Sequence, residues 1–130
     1  MKITKYQDYG ILLMIKLAQS WNRKPVPLSQ VASFYHLSPF FLKHLAADLK
    51  KGKLVKSKEG VKGGYWLSRH PKTITISEVI KVFAGRQILT PGCFDGICPV
   101  KRCPPKIVWQ KINKEILKSL DKISLAEVAR

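Results

Sequence analysis

From Tyr9 to Ala18 the chain is apolar at nearly every position, and Lys16 is its one charge. Such density predicts a helix buried on more than one face, touching its own core and a second surface. Thr4 with Gln7 three residues on forms a capping box, so this first helix is expected to start there and run to about Ser20. Pro25 and Pro27 then interrupt the pattern. Residues 28–35 predict a short helix with Leu28, Val31 and Ala32 inward, followed by a tight turn at His36-Leu37. Ser38-Pro39 places a capping hydroxyl before a proline suited to the first helical position. Beyond it Leu42, Leu45, Ala46 and Leu49 recur at i, i+3, i+4 and i+7, and Lys50, Lys51 and Gly52 close the helix. Helix, tight turn and capped helix make a helix-turn-helix pattern.

The period then changes. Residues 54–57 and 65–68 predict two strands joined by the glycine-rich turn 58–64. A basic hairpin directly after a recognition helix is a wing. Thr75 and Glu78 form a second capping box, opening a helix to about Ala84. From Lys106 onward Val108, Trp109, Ile112, Ile116, Leu117 and Leu120 recur with helical spacing, and Lys111, Lys114 and Lys118 take the other face. A winged helix needs little further core, so this helix is expected to pair with its counterpart in a second subunit, through Trp109, Ile112, Ile116 and Leu120. The expected fold is mainly α with a small β-hairpin. It divides into a winged helix-turn-helix domain (1–85), a loop (86–105), and a dimerisation helix with tail (106–130). The pattern contains no internal repeat and no run of about 18 apolar residues, so no membrane span is expected. The N-terminus lacks a small-residue cleavage site, so a cytoplasmic protein is expected.

Charge adds a partner to this outline. Twenty-four Lys and Arg against eight Asp and Glu leave a formal charge of +16, and such an excess favours a polyanion. Combined with the helix-turn-helix it points to duplex DNA. Ser38, Pro39, Phe40, Lys43, His44 and Lys51 are the candidate contacts on the recognition helix, and Lys58 and Lys62 those on the wing. Phe40 suits a thymine methyl or, alternatively, the core beside Phe41. The acids show no paired placement, and neither a Ser/His/Asp grouping nor a phosphate-binding glycine motif is present, so an enzyme is not expected.

Chemistry concentrates between the wing and the last helix. Cys93, Cys98 and Cys103 are the chain's only cysteines, with four residues between neighbours, on a loop rich in Gly and Pro. An odd number cannot all pair within the chain. Three thiolates form a ligand set one short of the four that zinc or an iron–sulfur cluster takes. Asp8, His36 or His44 would complete a zinc site. Thiol–disulfide sensing without metal is the other reading, since Lys101 and Arg102 favour the thiolates.

Taken together, these segments resemble the IscR/NsrR family of bacterial winged-helix regulators over essentially all 130 residues. The resemblance is carried by residues 1–18, by Pro27–Ala32 and Leu37–Leu42, by the wing from Gly52 through Gly63-Gly64-Tyr65-Trp66-Leu67, by Ile74–Ile80, and by Trp109 with Ile123–Val128. It implies a homodimer on a near-palindromic operator. It implies a transcriptional regulator, expected to be a repressor, with one iron–sulfur cluster per subunit held by Cys93, Cys98 and Cys103, of the 4Fe-4S type rather than 2Fe-2S, that responds to nitric oxide, redox or iron–sulfur status. The fourth ligand of IscR-like members is a His soon after the third cysteine, but this chain has no His beyond His70. NsrR-like members use an Asp early in the first helix, donated by the other subunit, and Asp8 stands there. Two departures bear on the operator: Glu59 replaces a wing Arg, and Lys43 stands where an acid is frequent.

Overall fold

The computed structural model describes residues 4–84 and 104–130. Helix α1, Lys5–Gln19, is capped as its sequence dictates: the Thr4 amide donates to Gln7 Oε1 at 3.0 Å and the Gln7 amide donates to Thr4 Oγ1 at 3.3 Å. Helices α2, Leu28–Tyr35, and α3, Pro39–Lys51, form the helix-turn-helix. His36 makes the turn between them in the left-handed region, at φ 54°. Gly52 ends α3 but keeps a right-handed backbone, and Lys53 takes the positive φ instead, at 61°. Gly52 is small for reasons of space, since a Cβ there would lie 2.7 Å from Val82 Cγ2.

Strands β1, Val55–Lys58, and β2, Gly64–Leu67, pair antiparallel in the register Val55↔Leu67 to Lys58↔Gly64. Val26 extends the hairpin on its other side by exchanging two 2.9 Å hydrogen bonds with Tyr65. This close approach requires glycine at 64: its φ is +153°, and a Cβ would sit 2.6 Å from the Val26 carbonyl carbon. A 3-10 turn, Pro71–Thr73, absent from the sequence reading, leads into α4, Ile76–Ala84. Glu78 closes the second capping box with Thr75 and also binds Arg69, which donates to Thr73 O at 3.2 Å.

Helix α5, Pro104–Asp121, begins two residues before the expected Lys106. Both extra residues are prolines, which the first turn tolerates because its amides have no intrahelical acceptor. The expected tail contains a further helical turn, α6, Leu125–Val128. The tail is part of the winged helix. Leu125 N donates to Ile74 O at 2.7 Å, Ile76 N donates to Ile123 O at 2.9 Å, and Leu125 is fully buried. The stripe on α5 is likewise not wholly free for a partner: Leu120 packs on the chain's own core, and the helix lies along α4. Ile107 and Val108 are its exposed apolar residues.

One core joins these elements. Leu13, Met14 and Leu17 of α1 meet Val31 of α2, Leu42, Leu45, Ala46 and Leu49 of α3, Val55 and Leu67 of the hairpin, Val79 of α4 and Leu125 of α6. The breadth of helix 1's apolar surface follows from this, because α1 contacts α3, β2, α4 and α6 together. Among the described residues no helix is long and apolar enough to cross a membrane.

Candidate nucleic-acid interface

Helix α3 is anchored by one face and free on the other. Leu42, Leu45, Ala46 and Leu49 are completely buried. Pro39, Phe40, Lys43, His44, Ala47, Lys50 and Lys51 are exposed. Ser38 caps the helix, its Oγ accepting from the Phe41 amide at 3.4 Å. The two neighbouring phenylalanines part company. Phe41 turns toward α1, its ring 5.3 Å from Tyr6 and 5.6 Å from Tyr9. Phe40 is 73% exposed, which removes the core alternative, and its ring stands edge-on to His44 with centroids 4.7 Å apart.

Phe40, Lys43, His44 and Ala47 border a shallow hollow of about 290 Å³ on the outer face. Ala47 was missed in the sequence reading. The spacing that found the buried face also finds it, because 40, 43, 44 and 47 repeat the i, i+3, i+4, i+7 period. Lys50 is tied to the wing, its Nζ donating to Ser57 Oγ at 2.8 Å. On the wing Lys58, Glu59, Val61 and Lys62 are all exposed, Val61 entirely so. Lys56 is a further exposed cation on β1. Recognition helix and hairpin therefore carry seven exposed lysines on adjoining elements, 43, 50, 51, 53, 56, 58 and 62.

Asp8 is exposed in the first turn of α1 and has no ion-pair partner among the described residues. Two residues on, Gly10 faces α4 so closely that a Cβ would lie 2.2 Å from Phe83. Two residues are about 160° apart around a helix, so Asp8 points away from its own α4. Cys93, Cys98 and Cys103 lie outside the described residues. Among the described residues no three His, Asp or Glu side chains converge.

The residues thus compose a capped helix with a free basic face beside a basic hairpin. A sequence profile of the Rrf2 family, described as an iron-dependent transcriptional regulator, matches residues 3–130. The chain belongs to the Rrf2 family. It is 33% identical over 129 residues to the HTH-type transcriptional regulator CymR of Bacillus subtilis, covering 99% of this chain and 90% of that one. It is 31% identical over 133 residues to the regulator IscR of Sodalis glossinidius, covering 98% and 78%. Among solved structures it matches CymR, the global cysteine regulator of B. subtilis, with a TM-score of 0.80 at 29% identity, covering 99% and 96%. It also matches IscR of T. potens with a TM-score of 0.77 at 35% identity, covering 98% and 85%. The mostly helical fold with its small antiparallel hairpin is thus that of the Rrf2 winged-helix regulators. The chain is a transcriptional regulator, and its relatives are regulators rather than enzymes.

Proposed function

We propose that this Rrf2 regulator binds a near-palindromic duplex as a homodimer and that an iron–sulfur cluster on Cys93, Cys98 and Cys103, completed by Asp8 of the other subunit, sets its affinity. The observation that carries the DNA half is the free face of α3, with Lys43 and Lys51 exposed beside the exposed Lys58 and Lys62. Ser38 and Pro39 fix the helix start, and Phe40, Lys43 and His44 reach for base edges from there. Trp109, Ile112 and Ile116 serve the dimer with the exposed Ile107 and Val108. Salt must weaken binding steeply, because each phosphate neutralised releases counterions. Affinity that stays constant between low and moderate salt would reject the DNA reading.

The support for the cluster half is chemical. Three thiolates lack one ligand, and Asp8 offers an exposed carboxylate with no ion-pair partner among the described residues. The cluster would supply a group reactive toward nitric oxide, oxygen or iron depletion, and an aspartate-ligated iron would be its labile corner. Tyr6 and Tyr9, which flank Asp8, rest on Phe41. A pull on Asp8 therefore reaches the start of α3, one residue from Phe40. The test is anaerobic purification with iron and acid-labile sulfide analysis, followed by DNA binding before and after nitric oxide treatment. Colourless protein, or unchanged affinity, rejects the sensing role.

A second reading is favoured by the likeness to CymR, since the matching structures include an oxidised form of Staphylococcus aureus CymR (TM-score 0.78, 26% identity). Here Cys93, Cys98 and Cys103 act as thiols without a metal, and Lys101 and Arg102 favour their thiolates. Iron-free protein whose DNA affinity changes with peroxide and is restored by dithiothreitol selects this reading.

A further inference from the structure

The outer ridge of α3 carries more than charge. Phe40, Lys43, His44 and Ala47 occupy consecutive turns and enclose one hollow. A phenylalanine 73% exposed at the start of a recognition helix leaves apolar surface in water that folding does not cover. Its edge-on contact with His44 holds the ring as a wall of that hollow. The apolar group a major groove presents at such a wall is the C5-methyl of thymine. The edges of adenine and guanine present N7 acceptors instead, which Phe40 leaves unpaired at a free-energy cost. Lys43 stands at the middle of the same hollow, and a lysine ammonium binds guanine O6 and N7. Ala47 closes the ridge about 10 Å along the helix, roughly three base-pair steps from Phe40.

We infer that this ridge makes the protein selective for half-sites in which a thymine methyl seats against Phe40 and a neighbouring guanine pairs with Lys43. The inference rests on the duplex-DNA reading and names the sequence class that reading takes. Exposure also makes it testable by substitution, since Phe40→Ala removes no buried contact.

The experiment is selection of binding sites from a random-sequence duplex pool with the full chain, in its anaerobically purified and its cluster-free forms. In the selected duplex each thymine is then replaced singly by uracil, which deletes the methyl and nothing else. One thymine in each half-site is expected to weaken binding about four-fold when changed to uracil, the effect of one lost apolar carbon. Phe40→Ala protein, with an unchanged melting curve, should bind thymine and uracil duplexes equally. Lys43→Met should lose roughly ten-fold of the preference for the adjacent guanine. The inference is overturned if no thymine-to-uracil change weakens binding, or if Phe40→Ala shows the same loss as the unsubstituted chain. Salt-sensitive binding without any enriched sequence overturns this inference alone. Absence of both enrichment and salt-sensitive binding overturns the DNA reading with it.

Discussion

Phe40 and Phe41 are chemically identical neighbours with opposite fates. Phe41 is wedged between Tyr6 and Tyr9, whereas Phe40 faces solvent. Phe41→Ala should therefore lower unfolding stability by about 1–3 kcal/mol, below the full core cost because the ring is only half-buried. Phe40→Ala should change it by less than about 0.5 kcal/mol; urea unfolding of both variants checks the pair. Helical period alone favours Phe41 only weakly, because position 41 borders the stripe of 42, 45 and 49. What decides it is the aromatic pair on α1, more than thirty residues earlier in sequence. Single residues were legible where their role is local: Thr4, Ser38 and Thr75 cap helices as their spacing dictates. They were not legible where a distant element supplies the partner, as with Phe41 or with Gly52 against Val82.

Among elements, the wing shows how little sequence a hairpin needs and how strictly it needs it. Gly64 combines a φ of +153° with contact against the Val26 backbone. Gly64→Ala should destabilise the fold by more than about 1 kcal/mol, through backbone strain and the displaced bridge together, which thermal denaturation reads. The exposed wing lysines belong to a different kind of prediction. Lys58→Ala and Lys62→Ala should each lower the salt dependence of DNA binding by about one unit of slope while leaving sequence preference unchanged; titrations of one operator at several salt concentrations measure it. The hairpin, α2, α3 and α4 were all legible, because period and turn chemistry act within a few residues. The 3-10 turn and α6 were not. The turn closes locally, with Thr73 N donating to His70 O and Ile74 N to Pro71 O, while α6 is docked by long-range pairing, the bridge between Thr75 and Ser124 and the hydrogen bond of Leu125 to Ile74.

On the scale of the whole molecule, the last residues belong with the first. Leu125 is fully buried in the core that α1 and α4 build, so the DNA-reading unit closes only when the tail returns. Leu125→Ala should cost about 2–5 kcal/mol, and a chain ending at Lys122 should melt well below the 130-residue chain and lose DNA binding with its fold. The arrangement also explains why α1 was legible as a core helix, with its buried residues in one stripe and its other apolar positions from Tyr9 onward half-buried, but not as the hub it is. Its apolar surface announces several neighbours without naming them. The cysteine reading rests on composition and spacing alone, because Cys93, Cys98 and Cys103 lie outside the described residues. Asp8 is exposed on α1. It points away from Phe83 and from its own α4. The proposed split of the ligand set between two chains has a genetic signature. Two defective alleles, Asp8→Ala and Cys98→Ser, should rescue one another when expressed together. In their mixed dimer one chain contributes the intact carboxylate and the other the intact thiols, rebuilding one of the two sites. Mixed dimers isolated with two different tags should carry about half the iron of the unsubstituted dimer, and either allele alone should carry little.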